Sequence, residues 1–321
     1  AWSPFAELDG PWDADRVAKS MIPDADGHER EWFVYSQALL AAVMRRLWEA
    51  NQATHEAFMR YLTNAKGRQL EQLVRGLPAQ ALFHEGAEKM LSSVRGIIGS
   101  YLSPYSYLPA DAGHGSWSIR RWIQEGKGWL WIPYREDQAA MLKPLLATWT
   151  GEIVAAVLSL RPDSQRRIWL LFDEVASLGR IQNITDALTK GRKYGLCGVL
   201  GLQSVSQLRA TYGHDGAQTL LSCLSSQLIL RANDPETAEY FSRHLGEQEI
   251  VQEDVSHGER STTVSERRHV QRAVLPSEIQ QPPDRVGYLR LSGPYPARIV
   301  TVPLIERPEV ISAYVPRSLN T

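Results

Sequence analysis

A chain of 321 residues, 43% of them hydrophobic and 22% charged, has enough apolar material for a large core and room for two domains. Its formal net charge of −1 excludes a global field that would draw it to nucleic acid, so any such contact needs a local basic lining. No stretch reads as the ~20 apolar residues that cross a bilayer, and the start Ala1-Trp2-Ser3-Pro4 is unlike a signal peptide. The two cysteines, Cys197 and Cys223, sit in apolar runs and are expected to be reduced, buried thiols. The first residue is not Met, which fits a piece of a longer protein.

Residues 13–111 read as helical throughout. Between Glu29 and Glu49, apolar residues recur near helical spacing at Trp32, Val34, Tyr35, Leu39, Leu40, Val43, Met44 and Leu47. Thr54-His55-Glu56-Ala57 looks like a cap opening a helix through Leu62, and a further helix is predicted from Glu85 to Leu102, ending before Ser103-Pro104. Near Gly113 the texture changes to alternating strands and helices. Strands are predicted at Trp129–Pro133, Ile168–Phe172, Leu196–Gly201, Gln227–Arg231 and Arg298–Val302. Helices are predicted at Asp137–Leu160, at Ile181–Tyr194 and, in two pieces, at Ser204–Cys223. This alternation implies right-handed crossovers and a parallel sheet, hence an α/β fold with an all-α domain inserted or appended. Glu247 to Arg272 reads as a β-hairpin or mobile loop, with Glu266-Arg267-Arg268-His269 as a solvated charged face more than a phosphate contact.

The chemistry concentrates at Arg167-Ile168-Trp169-Leu170-Leu171-Phe172-Asp173-Glu174. A run this apolar suits a parallel strand buried on both faces, and ligands of such sheets bind beyond the carboxyl ends, where the two acids emerge. One acid can hold Mg²⁺ through its water shell and the other can orient an attacking water, as an NTP site requires. The competing reading makes them caps of the next helix. A phosphate-cradling G-x-x-x-x-G-K-S/T is absent from the sequence: Gly113-His114-Gly115-Ser116 has no Lys, and Gly126-Lys127-Gly128 runs into an apolar stretch and opens no helix. Thr189-Lys190-Gly191-Arg192-Lys193-Tyr194-Gly195 closes the next helix, either by compensating its dipole or by offering Arg192 to a transferred phosphoryl group. The following strand ends in Leu202-Gln203-Ser204, where Gln203 is a helix cap or a polar sensor beside the acids. Acids, Arg and Gln on successive elements match the layout of RecA-like motors.

The strings Phe172-Asp173-Glu174-Val175-Ala176-Ser177-Leu178, Ala187-Leu188-Thr189-Lys190-Gly191-Arg192-Lys193, Gly201-Leu202-Gln203-Ser204, Ser206-Gln207-Leu208 and Tyr212-Gly213 strongly resemble the TrwB/TraD family of type IV coupling proteins. The likeness extends to Asp234-Pro235-Glu236-Thr237, Leu245-Gly246-Glu247, Trp2-Ser3-Pro4-Phe5, Trp117-Ser118-Ile119-Arg120 and Tyr134-Arg135-Glu136-Asp137, and so covers nearly the whole chain.

The resemblance implies a RecA-like nucleotide-binding domain at 1–12 and 112–321, a mostly parallel sheet flanked by helices, and an inserted all-α domain at 13–111. It implies ATP and Mg²⁺ as cofactors, with Asp173 as the water-mediated Mg²⁺ ligand and Glu174 as the catalytic base. Arg192 is implied as an arginine acting across or near a subunit interface, Gln203 as the sensor, and Arg231 as a second phosphate-sensing cation. The family are hexameric ATPases at the cytoplasmic face of the bacterial inner membrane that pump single-stranded DNA, with its relaxase, toward a type IV secretion channel. Members also carry a transmembrane segment and a phosphate loop. Both are expected upstream of these residues, so this chain alone is expected to hydrolyse little ATP. The alternatives are a DNA- or relaxase-binding module without ATPase activity, and a double-stranded DNA translocase of the FtsK type, which the helical insertion and Thr189–Lys193 disfavour.

Overall fold

The first part of the chain is helical because its apolar positions recur at helical spacing, and the Thr54 and Ser118 hydroxyls cap the starts of two of its helices. The computed structural model describes residues 1–25, 27–181, 183–257 and 262–308. In order come α1 (Asp13–Met21), α2 (Arg30–Glu49), α3 (His55–Met59), α4 (Gly67–Leu73), α5 (Glu88–Leu102) and α6 (Ile119–Glu125). α2 turns Leu39, Leu40, Val43, Met44 and Leu47 fully inward. The predicted cap is present: the Thr54 hydroxyl accepts from Ala57 N at 3.2 Å. α3 then widens into a π-type turn, Arg60–Asn64. Arg95 of α5 donates to carbonyls at its end, Ala65 O at 3.0 Å and Thr63 O at 2.9 Å, so helix-end acceptors do not go unpaired.

Glu7 fastens the N-terminal segment to the residues that follow the helical block. Its buried carboxylate accepts from Trp2 Nε1 (2.8 Å), Ser118 Oγ (3.2 Å), Ile119 N (2.7 Å) and Arg120 N (3.0 Å). The last two are orphan N–H groups at the start of α6, so a remote acid does the work of a local cap. Trp2-Ser3-Pro4-Phe5 and Trp117-Ser118-Ile119-Arg120 are thus brought together at this one carboxylate.

α7 (Glu136–Leu158) corrects one expectation. With 23 residues and a mean hydropathy of 1.3 over its best window it is long and apolar enough to cross a membrane, yet 61% of that window is buried inside the protein. It is the core helix of its unit, and two of its polar residues find partners from earlier helices there. Arg16 pairs with buried Glu152, and Thr148 Oγ1 lies 2.6 Å from the Tyr105 hydroxyl. Burial pushes the Glu152 carboxyl above its usual range against the opposing pull of Arg16.

β1 (Ile168–Phe172), α8 (Ile184–Lys190) and β2 (Leu196–Leu200) follow, and β1 pairs parallel to β2 from Ile168↔Leu196 to Phe172↔Leu200. Two strand expectations are corrected here. Trp129–Pro133 forms no ladder with any described residue; Leu130 and Ile132 pack on the core while Trp129 and Trp131 are 70% and 77% exposed and stack on each other. β1 is not buried on both faces: Ile168 and Leu170 pack inward, but Trp169 and Leu171 are each 56% exposed because no described helix covers that face. Cys197 and Cys223 are unpaired and only half-buried. α9 (Val205–Cys223) is broken at Gly213 (φ +73°, ψ 171°), which realises the predicted two pieces.

Residues up to Gln203, with Gln207–Cys223, form one unit; Ser204–Ser206 and the described residues from Leu224 on form another. The second unit contains β3 (Gln227–Ile229), α10 (Pro235–Leu245), β4 (Glu247–His257), β5 (Thr262–Arg272), α11 (Pro276–Gln280), β6 (Val286–Arg290) and β7 (Arg298–Thr301). β3, β6 and β7 form an antiparallel sheet in that order, over a small core of Ile229, Ala232, Ala238, Leu245 and Ile279. The predicted hairpin is β4–β5, in register from Glu247↔Arg272 to His257↔Thr262. Residues 258–261 between the two strands lie outside the described residues. Arg267 and Arg268 are exposed, as a solvated face requires.

Candidate nucleotide site at the ends of the parallel strands

The carboxyl ends of β1 and β2 are locked together by backbone. Gly201 N donates to Phe172 O at 2.7 Å and Val175 N donates to Gly201 O at 3.0 Å. A Cβ on Gly201 would run into the Asp173 carbonyl oxygen, so this approach needs glycine. Glu174 spans both strand ends. Its Oε2 accepts from Gln203 N at 3.1 Å and its Oε1 from Ala176 N at 3.3 Å. The capping reading is therefore realised too, since Glu174 caps the short 3-10 turn Val175–Leu178. Asp173 is exposed, and no donor among the described residues bonds its carboxylate.

The predicted site residues converge only in part. Gln203 meets Glu174 through its backbone N–H and not through its side-chain amide. Arg192 lies in the 3-10 turn Gly191–Tyr194, just before β2 begins. In a parallel pair this is the opposite end of the strands from the acids, about 16 Å away for five residues at ~3.3 Å each. Within one chain Arg192 therefore does not reach Asp173. Of its neighbours, Lys190 pairs with Asp186 at 2.7 Å and Lys193 sits over the Tyr194 ring, whereas no described carboxylate pairs with Arg192. Arg231, in the other unit, is committed to Asp284 Oδ1 (2.8 Å) and Pro282 O (2.9 Å).

Donor chemistry suits a hydrated hard cation at Asp173, because one free carboxylate can hold Mg²⁺ through its waters. No group of three or more His, Cys, Asp or Glu that could hold a metal directly exists among the described residues. Nor do the described residues offer a phosphate cradle. Gly126 (φ +67°) is the left-handed cap that ends α6, and the N–H groups opening α6 are taken by Glu7. Beside β1 an apolar cleft of about 320 Å³ opens, with Trp129–Ile132 on one wall and Asp173 and Glu174 at its edge. Gly201 was missed as a site residue, although it was legible as the glycine ending a strand.

Comparisons with known proteins agree with this geometry. A family model described as the type IV secretion-system coupling protein DNA-binding domain matches residues 1–303. The coupling protein TraD of Escherichia coli (strain K12) is 28% identical over 332 residues, covering 100% of this chain and 46% of TraD. A probable conjugal transfer protein TraG of Sinorhizobium fredii is 33% identical over 127 residues, 39% of this chain and 20% of that protein. The chain therefore spans about half the length of TraD. Among solved structures, the unbound conjugative coupling protein TrwBdeltaN70 superposes with a TM-score of 0.90 at 34% identity, covering 98% of this chain and 74% of that one. TrwB in complex with ADP and Mg²⁺ gives 0.84 at 34%, covering 95% and 71%. The fold is accordingly the RecA-like α/β fold with an all-α domain. By motif, geometry and likeness, the chain belongs to the family of type IV secretion-system coupling proteins.

Proposed function

We propose that this chain is the nucleotide- and DNA-handling part of a conjugative coupling ATPase. The observation that carries the reading is Glu174, held between the two strand ends by Ala176 N–H and Gln203 N–H, beside the free carboxylate of Asp173. With Mg-ATP bound, Asp173 would hold the cation through water, Glu174 would orient the attacking water and take its proton, and the strand end at Gln203 would sense the γ-phosphate. Arg192, remote from its own acids, serves those of a neighbouring copy in a homohexamer. Arg231 becomes a phosphate-sensing cation on release from Asp284. TrwB, a relative, has been solved with ADP and Mg²⁺ and with a non-hydrolysable GTP analogue, which supports nucleotide binding as the reading for this chain.

The RecA-like domain comprises 1–12 and 112–321, and the all-α domain 13–111 recognises the DNA–relaxase substrate. Hydrolysis moves single-stranded DNA along basic channel linings, which need no sequence preference. The assembly works at the cytoplasmic face of the inner membrane and delivers to the secretion channel. In the full-length natural protein, Glu174→Gln should lower ATP turnover by about 10²–10³-fold while ATP still binds. Turnover that survives Glu174→Gln would overturn the assignment.

The lack of a phosphate cradle among the described residues favours a second reading, a substrate-binding module without hydrolysis of its own. The 321-residue chain alone is then expected neither to bind nor to turn over Mg-ATP, and gel shifts with residues 13–111 would retain DNA binding.

A further inference from the structure

After Glu174 the chain makes its 3-10 turn and leaves it through Gly179, buried at φ +78°, where an added Cβ would meet Lys143 Cε at 2.6 Å. Two residues later Ile181 is buried. Between them sits the Tyr212 hydroxyl, donating to Gly179 O at 3.2 Å and accepting from Ile181 N at 3.2 Å. The phenol is 8% exposed, and burial pushes its pKa up, so the donor proton is retained. Tyr212 ends the first half of α9, immediately before the break at Gly213, and that half-helix follows directly on the β2 end at Gln203.

These contacts close a circuit. From Glu174 the chain runs through the turn to Gly179 and Ile181, crosses by hydrogen bonds to Tyr212, and returns along α9 to Gln203. Gln203 N then bonds Glu174 again. We propose that Tyr212 is a positioning residue that keeps Glu174 seated on Gln203 N–H by fixing the exit of the acidic turn against α9. An aromatic ring needed only for packing would do without the hydroxyl. Here the hydroxyl satisfies one buried donor and one buried acceptor of the turn, and a phenylalanine would leave both unpaired.

The kinetic consequence rests on the ATPase reading above. In the full-length natural protein, Tyr212→Phe should lower kcat for ATP about tenfold with KM within about twofold, because water positioning is impaired and nucleotide binding is not. The unfolding midpoint should fall as well, because a buried N–H and a buried carbonyl lose their partner. Leu208→Ala, a buried residue of the same half-helix without contact to the turn's backbone hydrogen bonds, should lower stability and leave kcat unchanged. Amide exchange at Gly179 and Ile181 should accelerate in Tyr212→Phe and not in Leu208→Ala. An active wild type whose kcat is unaltered by Tyr212→Phe overturns the proposal, as does parallel loss of kcat in both variants. A wild type without ATPase activity refutes the ATPase reading alone. The exchange measurement then still decides the clamp, and unchanged exchange in Tyr212→Phe overturns it.

Discussion

Replacing Glu7 by alanine removes a carboxylate that serves four donors at once, two of them backbone N–H groups that no rotamer change can redirect. The Trp2 indole and the Ser118 hydroxyl can turn toward other acceptors or water. Ile119 N, buried, and Arg120 N, half-buried, remain unpaired at the start of α6. Each orphaned donor costs ~1–3 kcal/mol, so a loss of about 3–5 kcal/mol follows even without full additivity. Glu7→Gln keeps one acceptor oxygen but turns an NH₂ toward donors, for a cost of about 2 kcal/mol. Trp2 contacts Trp149 edge-on, so tryptophan emission reports on this unit in urea unfolding. With a slope of ~2–3 kcal/mol per M, the alanine variant should unfold ~1.5 M earlier. A loss under ~1 kcal/mol, or a glutamine variant worse than alanine, would refute the claim that Glu7 is the remote cap of α6.

Two further outcomes follow from the same unit. Gly201→Ala should disrupt the junction of β1 and β2, costing at least ~2 kcal/mol and lowering Mg-nucleotide binding by the full-length protein; unfolding and nucleotide titration check it, and a neutral substitution would exclude the close approach to Asp173. Arg16→Ala leaves Glu152 buried without its partner, for about 3–5 kcal/mol near neutral pH. Glu152 already has its folded pKa raised above the ordinary 4.5 by burial, so its stabilising neutral form is complete below that value and is lost as pH rises through the folded pKa. The Arg16→Ala deficit should therefore shrink toward pH 4.5, and equal deficits at pH 4.5 and 7.5 would contradict the pairing.

Local patterns were legible and non-local ones were not. The Thr54 cap, the strand Ile168–Phe172, the hairpin Glu247–Arg272 and the break inside Ser204–Cys223 each depend on residues within a few positions, and all are present. Trp129–Pro133 has the continuous apolar run of a strand, but a strand needs an edge to pair with, and sequence does not reveal whether one is supplied. The Glu7 hub joins residues more than 110 positions apart and carries no local signature. At the candidate site the acids were visible because they end an apolar run. That Gln203 would contribute its main chain, and that Arg192 would fall at the far end of the strands, depended on the β1–β2 register.

α7 has one more consequence, for topology. A hydropathy scan would count Glu136–Leu158 as a span and assign the residues before and after it to opposite sides of a bilayer. In the folded chain Arg16 and Tyr105, which precede the helix, bond Glu152 and Thr148 within it. α8 and the turn after Glu174, which follow the helix, pack on it as well. Both flanks must therefore occupy the same compartment for this core to form, and a reporter fused before Glu136 and one fused after Leu158 would give the same sidedness.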